Sequence, residues 1–150
     1  RAPMPGQLRL EPFKKEHAAL LDDYGAQAWV KDYFEACLDD AEDGLAVSVW
    51  VDQDFIGCAG LAPVHDYRAI AWALFVPGYP QHFIKVHRAT KAFLREHLKA
   101  FPRIEAYIDP EFTRAIRWVK SLGFREECGY KPYFFPDGRA GAEWVMLREN

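Results

Sequence analysis

Residues 69–76 read AIAWALFV, 77–80 read PGYP, 81–101 read QHFIKVHRATKAFLREHLKAF and 104–108 read IEAYI. The first segment is a nearly continuous apolar run, the pattern of a strand buried on both faces. Pro77-Gly78-Tyr79-Pro80 stops it. The third segment has helical period. Phe83, Val86, Thr90, Phe93, Leu94, Leu98 and Phe101 fall on one face, and Lys85, Arg88, Lys91, Arg95 and Lys99 on the other. Pro102 ends that helix. Ile104, Ala106 and Ile108 then alternate as a strand. A strand, a helix and a strand in this order predict a right-handed crossover and a parallel pair.

Downstream, Asp109-Pro110 predicts a helix start, with Asp109 as cap and Pro110 in the first turn. Phe112, Ala115, Ile116, Val119 and Leu122 give its apolar face, and Gly123 its stop. Two strands follow, 124–131 and 143–148, joined through Pro136-Asp137-Gly138. Upstream, Leu8 to Leu10 reads as a strand, and 14–21 and 24–38 read as helices. The acidic run Asp39 to Asp43 reads as a solvated loop. Residues 45–51 alternate as a strand that returns through 55–61, and Gly57 and Gly60 there predict close backbone approach or a bulge. The expectation is one α/β domain over 1–150: a mixed, mostly antiparallel sheet with a parallel pair and helices on both faces.

The composition agrees with such a domain. Of 150 residues, 50% are hydrophobic and 27% charged, which excludes disorder and low complexity. No apolar run approaches the ~20 residues of a membrane span, and no secretory leader is visible. Arg1-Ala2-Pro3 before Met4 reads as a cloning remnant. A net charge of −3 gives no drive toward nucleic acid or an anionic membrane. Residues 1–66 hold 5 Lys/Arg against 13 Asp/Glu, and residues 67–150 hold 14 against 9. That asymmetry fits either an anionic ligand on the later half, an acidic contact surface on the earlier one, or a mere charge dipole. Cys37, Cys58 and Cys128 form no paired motif, so reduced thiols and a cytoplasmic location are expected. The five histidines make no metal-binding helical pattern.

The element order resembles that of the GCN5-related N-acetyltransferases (GNAT), and Ala115 to Phe124, with its Leu122-Gly123-Phe124 turn, resembles their fourth-helix signature. Gly60, Arg68 to Leu74, Arg117 to Phe124 and Phe135-Pro136-Asp137-Gly138 also resemble the small acetyltransferase-like proteins of tailed bacteriophages. The resemblance implies acetyl-CoA or CoA as cofactor. It places the pantetheine arm against the backbone of Leu74, Phe75 and Val76, where strands four and five splay. The phosphates lie near Gln81, His82, Phe83, Lys85 and Val86.

The sequence departs from that family at the chemistry. The family's phosphate loop uses glycines so that bare N–H groups meet phosphate oxygens. Here Ile84 and Val86 stand in their places, which implies a weak or rerouted phosphate site in which Lys85, His82 and Arg88 supply charge. The family's acidic Tyr maps to Val119, an Asn at the helix start maps to Phe112, and strand four holds no carboxylate base. The catalytic residues are therefore not legible.

Among single residues, His65-Asp66 ends strand three and offers a base, although adjacent strand residues point apart and turns are rich in Asp. Tyr107, Tyr130 and Tyr133 offer phenols in place of the missing acid, though strand aromatics usually pack. Glu105 offers a base and is expected in solvent. Cys128 would need an electropositive pocket to act as a nucleophile. The segment Tyr130 to Phe135 is a protein-binding patch if exposed and ordinary packing if buried.

Three functions fit the resemblance. One is an acetyltransferase acting on a small-molecule or protein amine. A second is a degenerate member that binds and modulates a host enzyme, in the cytoplasm of the infected bacterium for a phage-encoded chain. A third is a virion-associated structural protein.

Overall fold

The structure is a computed structural model that describes residues 5–21, 45–76 and 79–149. Its elements are β1 (Leu8–Pro12), α1 (Lys15–Ala18) with a 3-10 turn (Ala19–Leu21), β2 (Leu45–Val51), β3 (Asp54–His65), β4 (Arg68–Phe75), a 3-10 turn (Tyr79–His82), α2 (Phe83–His97), β5 (Arg103–Ile108), α3 (Thr113–Leu122), β6 (Arg125–Lys131) and β7 (Gly141–Leu147). The helix expected over 24–38 and the acidic run 39–43 lie outside the described residues.

The seven strands form one sheet in the order β1-β2-β3-β4-β5-β7-β6. β4 and β5 run parallel, with Arg68 opposite Arg103 and Ile70 opposite Glu105, as the crossover requires. The β1/β2, β2/β3, β5/β7 and β6/β7 ladders are antiparallel. This is the mixed, mostly antiparallel sheet that the sequence predicts. No described helix is long and apolar enough to cross a membrane.

The chain divides into two compact units, Arg1–Ala62 with Trp72–Val86 and Pro63–Ala71 with His87–Asn150. The first has a core of Phe13, Val51, Ile56, Cys58, Leu61, Leu74 and Val86. Trp72 stands edge-on to Phe13 in it. Ser48 is fully buried and satisfied by His17 Nδ1 at 2.6 Å. Lys14 N–H also donates to that nitrogen, which makes it an acceptor and the Ser48 hydroxyl the donor. Burial pushes the Cys58 thiol up to about 12, so it packs as an inert apolar group. The second unit is centred on Ile104, Ala106, Ile108, Val119, Leu122, Phe124, Trp144 and Val145.

Two helix starts differ from the sequence reading. α2 begins at Phe83 because Tyr79–His82 closes as a 3-10 turn. α3 begins at Thr113, not beside Asp109. The Asp109 carboxylate instead accepts the Glu111 N–H at 2.9 Å, and the Asp109 carbonyl accepts the Phe112 N–H at 2.9 Å. This local turn consumes the capping groups before the helix opens. Phe112 and Phe83, expected on buried faces, are exposed in consequence. At the far end of α3, Gly123 takes φ +108 and its N–H reaches the Lys120 carbonyl, the stop that the sequence predicts.

Gly57 and Gly60 are sites of close approach, and the β2/β3 register shifts at Val49/Trp50. A Cβ on Gly57 would lie 2.3 Å from the Leu74 carbonyl oxygen, and one on Gly60 would lie 2.4 Å from the Leu45 carbonyl oxygen. Backbone cannot yield as a flexible side chain does. Gly60→Ala is expected to lower stability by about 1–3 kcal/mol, read as a lower urea midpoint at unchanged slope.

Candidate functional site

The residues matched to coenzyme binding all belong to the first unit. Leu74, Phe75 and Val76 are buried at the end of β4. Val76 N–H donates to the Ile56 carbonyl on β3 at 2.9 Å. The Leu74 carbonyl also faces β3, since a Cβ on Gly57 would meet it. Backbone polar groups alternate in direction along a strand. The N–H and C=O of Phe75 therefore point to the other edge of β4.

α2 follows, and its first turn contains no acidic side chain. Gln81 and Lys85 are exposed and His82 is half-buried. The Lys85 ammonium donates to the Gly6 carbonyl. Of the two bulky residues that stand where the family has glycine, Val86 is buried in the core and Ile84 is 65% exposed. Val86 is thus turned away from the open end of the helix, and Ile84 alone stands outward there. A 15-residue helix with an acid-free start, Gln81 and His82 ahead of it and Lys85 in its first turn suits a phosphate group. The residues present fit the coenzyme phosphates through side chains where the glycines are absent.

The sequence reading misplaces Glu105. It is 2% exposed, not solvated. On β5, Arg103, Glu105 and Tyr107 share one face, and Ile104, Ala106 and Ile108 share the other. Arg68 donates to Glu105 Oε1 at 2.7 Å, the Tyr107 hydroxyl donates to the same oxygen at 2.6 Å, and Arg103 Nε donates to Oε2 at 2.6 Å. Arg103 also pairs with Glu127. Glu143, opposite Tyr107 in the β5/β7 ladder, lies 3.7 Å from Arg103 and 2.8 Å from the Lys131 ammonium. Burial alone would raise the Glu105 pKa. The hydrogen bonds from Arg68, Tyr107 and Arg103 outweigh it and hold the carboxyl at about 2. Burial, and the hydrogen bond to this carboxylate, push the Tyr107 phenol above its ordinary value. Glu105 is a clamped anion with donors on both oxygens, a poor base, and Tyr107 is a neutral donor.

The other candidates fall apart as sites. His65 is exposed and its Nδ1 accepts the Tyr67 N–H at 3.1 Å, while Asp66 is exposed in the turn. His87 Nδ1 accepts the Trp118 indole N–H at 3.2 Å. Cys128 is half-buried, and its thiol donates to the Tyr130 carbonyl at 3.7 Å. Val119 is buried, so the family's acid position is part of the core. Tyr130 and Tyr133 do not pack, and Tyr133 is 86% exposed, while Phe135 is buried. The signal that could have found the Glu105 cluster is the alternation Arg103, Glu105, Tyr107 itself: three polar residues on one face of a strand whose other face is core.

No protein-family model matches the chain, and no curated protein matches it. Solved structures do. A GNAT-family acetyltransferase from Bacillus anthracis is 18% identical, with 94% of this chain and 95% of that one covered at TM-score 0.72. A GNAT-family acetyltransferase from Elizabethkingia anophelis with acetyl-CoA bound is 13% identical, covering 95% and 99% at TM-score 0.70. Ard1 from Thermoplasma volcanium is 12% identical, covering 95% and 99% at TM-score 0.77. The chain has the fold of GNAT acetyltransferases; at these identities the likeness carries the fold, and the chemistry rests on the site.

The Glu105 pKa sits below its ordinary 4.5. The stabilisation it lends is therefore complete above pH 4.5 and is lost as pH falls through about 2. Urea midpoints measured across that window are expected to fall with acidification, and Glu105→Gln is expected to flatten the fall. At neutral pH the same substitution removes the carboxylate that Arg68 and Arg103 share, and Arg103 keeps Glu127. Both guanidinium groups keep a water-facing side, so the cost lies at the lower end of the about 3–5 kcal/mol typical of a broken buried pair.

Proposed function

We propose that this chain binds acetyl-CoA or CoA and is an acetyltransferase-like protein acting on an amine. The observation that carries the reading is the start of α2: an acid-free first turn with Gln81 and His82 ahead of it and Lys85 within it. The shared fold with an acetyltransferase that holds acetyl-CoA supports it. The coenzyme, when bound, supplies an acetyl group activated as a thioester.

This chain's residues would hold it in two ways. The Phe75 backbone would pair with the pantetheine amides as a strand pairs with a neighbour. The Gln81, His82 and Lys85 side chains, at the positive end of the α2 dipole, would take the phosphates. An ammonium has three donors, so Lys85 can keep its Gly6 contact and still reach an anion. Ile84 blocks the closest backbone approach, which makes the site side-chain-driven and weaker than a glycine loop. Val119 cannot donate a proton, and Glu105 is a poor base. The amine would then lose its proton to water, and turnover would be slow and steeper at alkaline pH.

Isothermal titration with acetyl-CoA and with CoA is expected to show micromolar binding. Lys85→Glu is expected to weaken it by roughly tenfold or more, through charge reversal at the helix N-terminus. Absence of heat up to millimolar coenzyme would sink this reading. The exposed Tyr130 and Tyr133 favour a second one, the host-enzyme-binding role implied by the phage-type resemblance. Under it, Tyr133→Ala would reduce capture of a host protein from lysate and leave coenzyme binding as it is.

A further inference from the structure

We propose that Tyr107, Phe134 and Glu143 form a receptor for a primary alkylammonium group, filled in the free protein by the chain's own Lys131. The inference stands on second-unit side chains alone and holds whether or not the chain binds coenzyme.

The Lys131 ammonium lies 2.8 Å from Glu143 Oε2, 5.4 Å from the Tyr107 ring centre and 5.4 Å from the Phe134 ring centre. The two rings are 4.8 Å apart at 30°. Two aromatic faces and a carboxylate on one cation is the chemistry that recognises ammonium groups. The direct bond to Glu143 needs an N–H, so the receptor selects a primary ammonium over a quaternary one.

The walls are placed by contacts that do not involve Lys131. The Tyr107 hydroxyl is held on Glu105. Phe134 lies over Gly141, where a Cβ would come within 3.0 Å of the ring. The N–H groups of Phe134 and Phe135 both donate to the Arg139 carbonyl at 3.0 Å. Tyr133, just before, takes φ +54, a left-handed conformation that a non-glycine residue adopts at a cost.

The placement of charge points the same way. Arg68 and Arg103 face Glu105, Glu127 and Glu143. Of these carboxylates Glu143 is the one next to Lys131, whose ammonium lies 2.8 Å away against 3.7 Å for Arg103. Lys131 is the last residue of β6, and its side chain is 34% exposed. It can leave on its flexible stem without disturbing the walls. As an occupant held by its own short stem it competes at a high effective concentration, so an external amine must displace it.

Lys131→Ala deletes the atoms from Cγ to Nζ, which n-propylammonium replaces. Titration of this variant, followed by the ring-proton resonances of Tyr107 and Phe134, is expected to give a millimolar Kd at least about tenfold tighter than in the wild type. Tetramethylammonium is expected to bind more weakly, and adding Glu143→Gln is expected to remove the gain. Equal affinity in wild type and variant, or a gain that survives Glu143→Gln, would overturn the proposal. Should the variant fail to fold, the wild type decides. Its Lys131 Hε resonances should show ring-current shifts that excess n-propylammonium relieves, and shifts unmoved by the probe would overturn it.

Discussion

The second unit depends on the Glu105 carboxylate. A buried anion is costly unless it is paired and hydrogen-bonded, and here Arg68, Arg103 and Tyr107 donate to both of its oxygens from β4 and β5. The consequence spreads along the sheet. Arg68 and Arg103 stand opposite each other in the parallel ladder, so the same carboxylate ties together the pair of strands that defines the fold. Tyr107, fixed by its bond to Glu105, becomes a wall against which Phe134 and Lys131 pack. Arg103 reaches on to Glu127 on β6.

The first unit has a different logic. Its chemistry is backbone direction and a helix end. Glycines at 57 and 60 let β3 approach β4 and β2 to distances that a Cβ forbids. The β3 contact takes the backbone groups of Leu74 and Val76, and the polar groups of Phe75 turn to the opposite edge. At the start of α2, Val86 goes inward and Ile84 outward. Of the two residues that stand where the family has glycine, one therefore projects outward and the other packs in the core.

The fold was legible in the sequence because its signals are local and periodic. The run Ala69 to Val76, the helix with apolar Val86 and Leu94, and the alternation at 104–108 dictate strand, helix and strand by themselves, and Gly123 stops α3 where a left-handed residue is needed. The misjudged helix starts at Phe83 and Thr113 have a physical cause. Capping groups such as Asp109 can serve a turn as well as a helix, and the competition is settled by neighbours.

The sequence by itself determined the order of the described elements, the parallel pair, the turn glycines and the absence of a proton donor at position 119, because each follows from residue type and spacing within one element. Only the tertiary structure decided that Glu105 is buried and clamped, that Tyr107 is its donor, that Tyr133 is exposed, and that Lys131 lies on two rings and a carboxylate. Those facts depend on which residues face one another across strands distant in the chain. A charge becomes a partner, a base or a ligand only when register and burial choose what it meets.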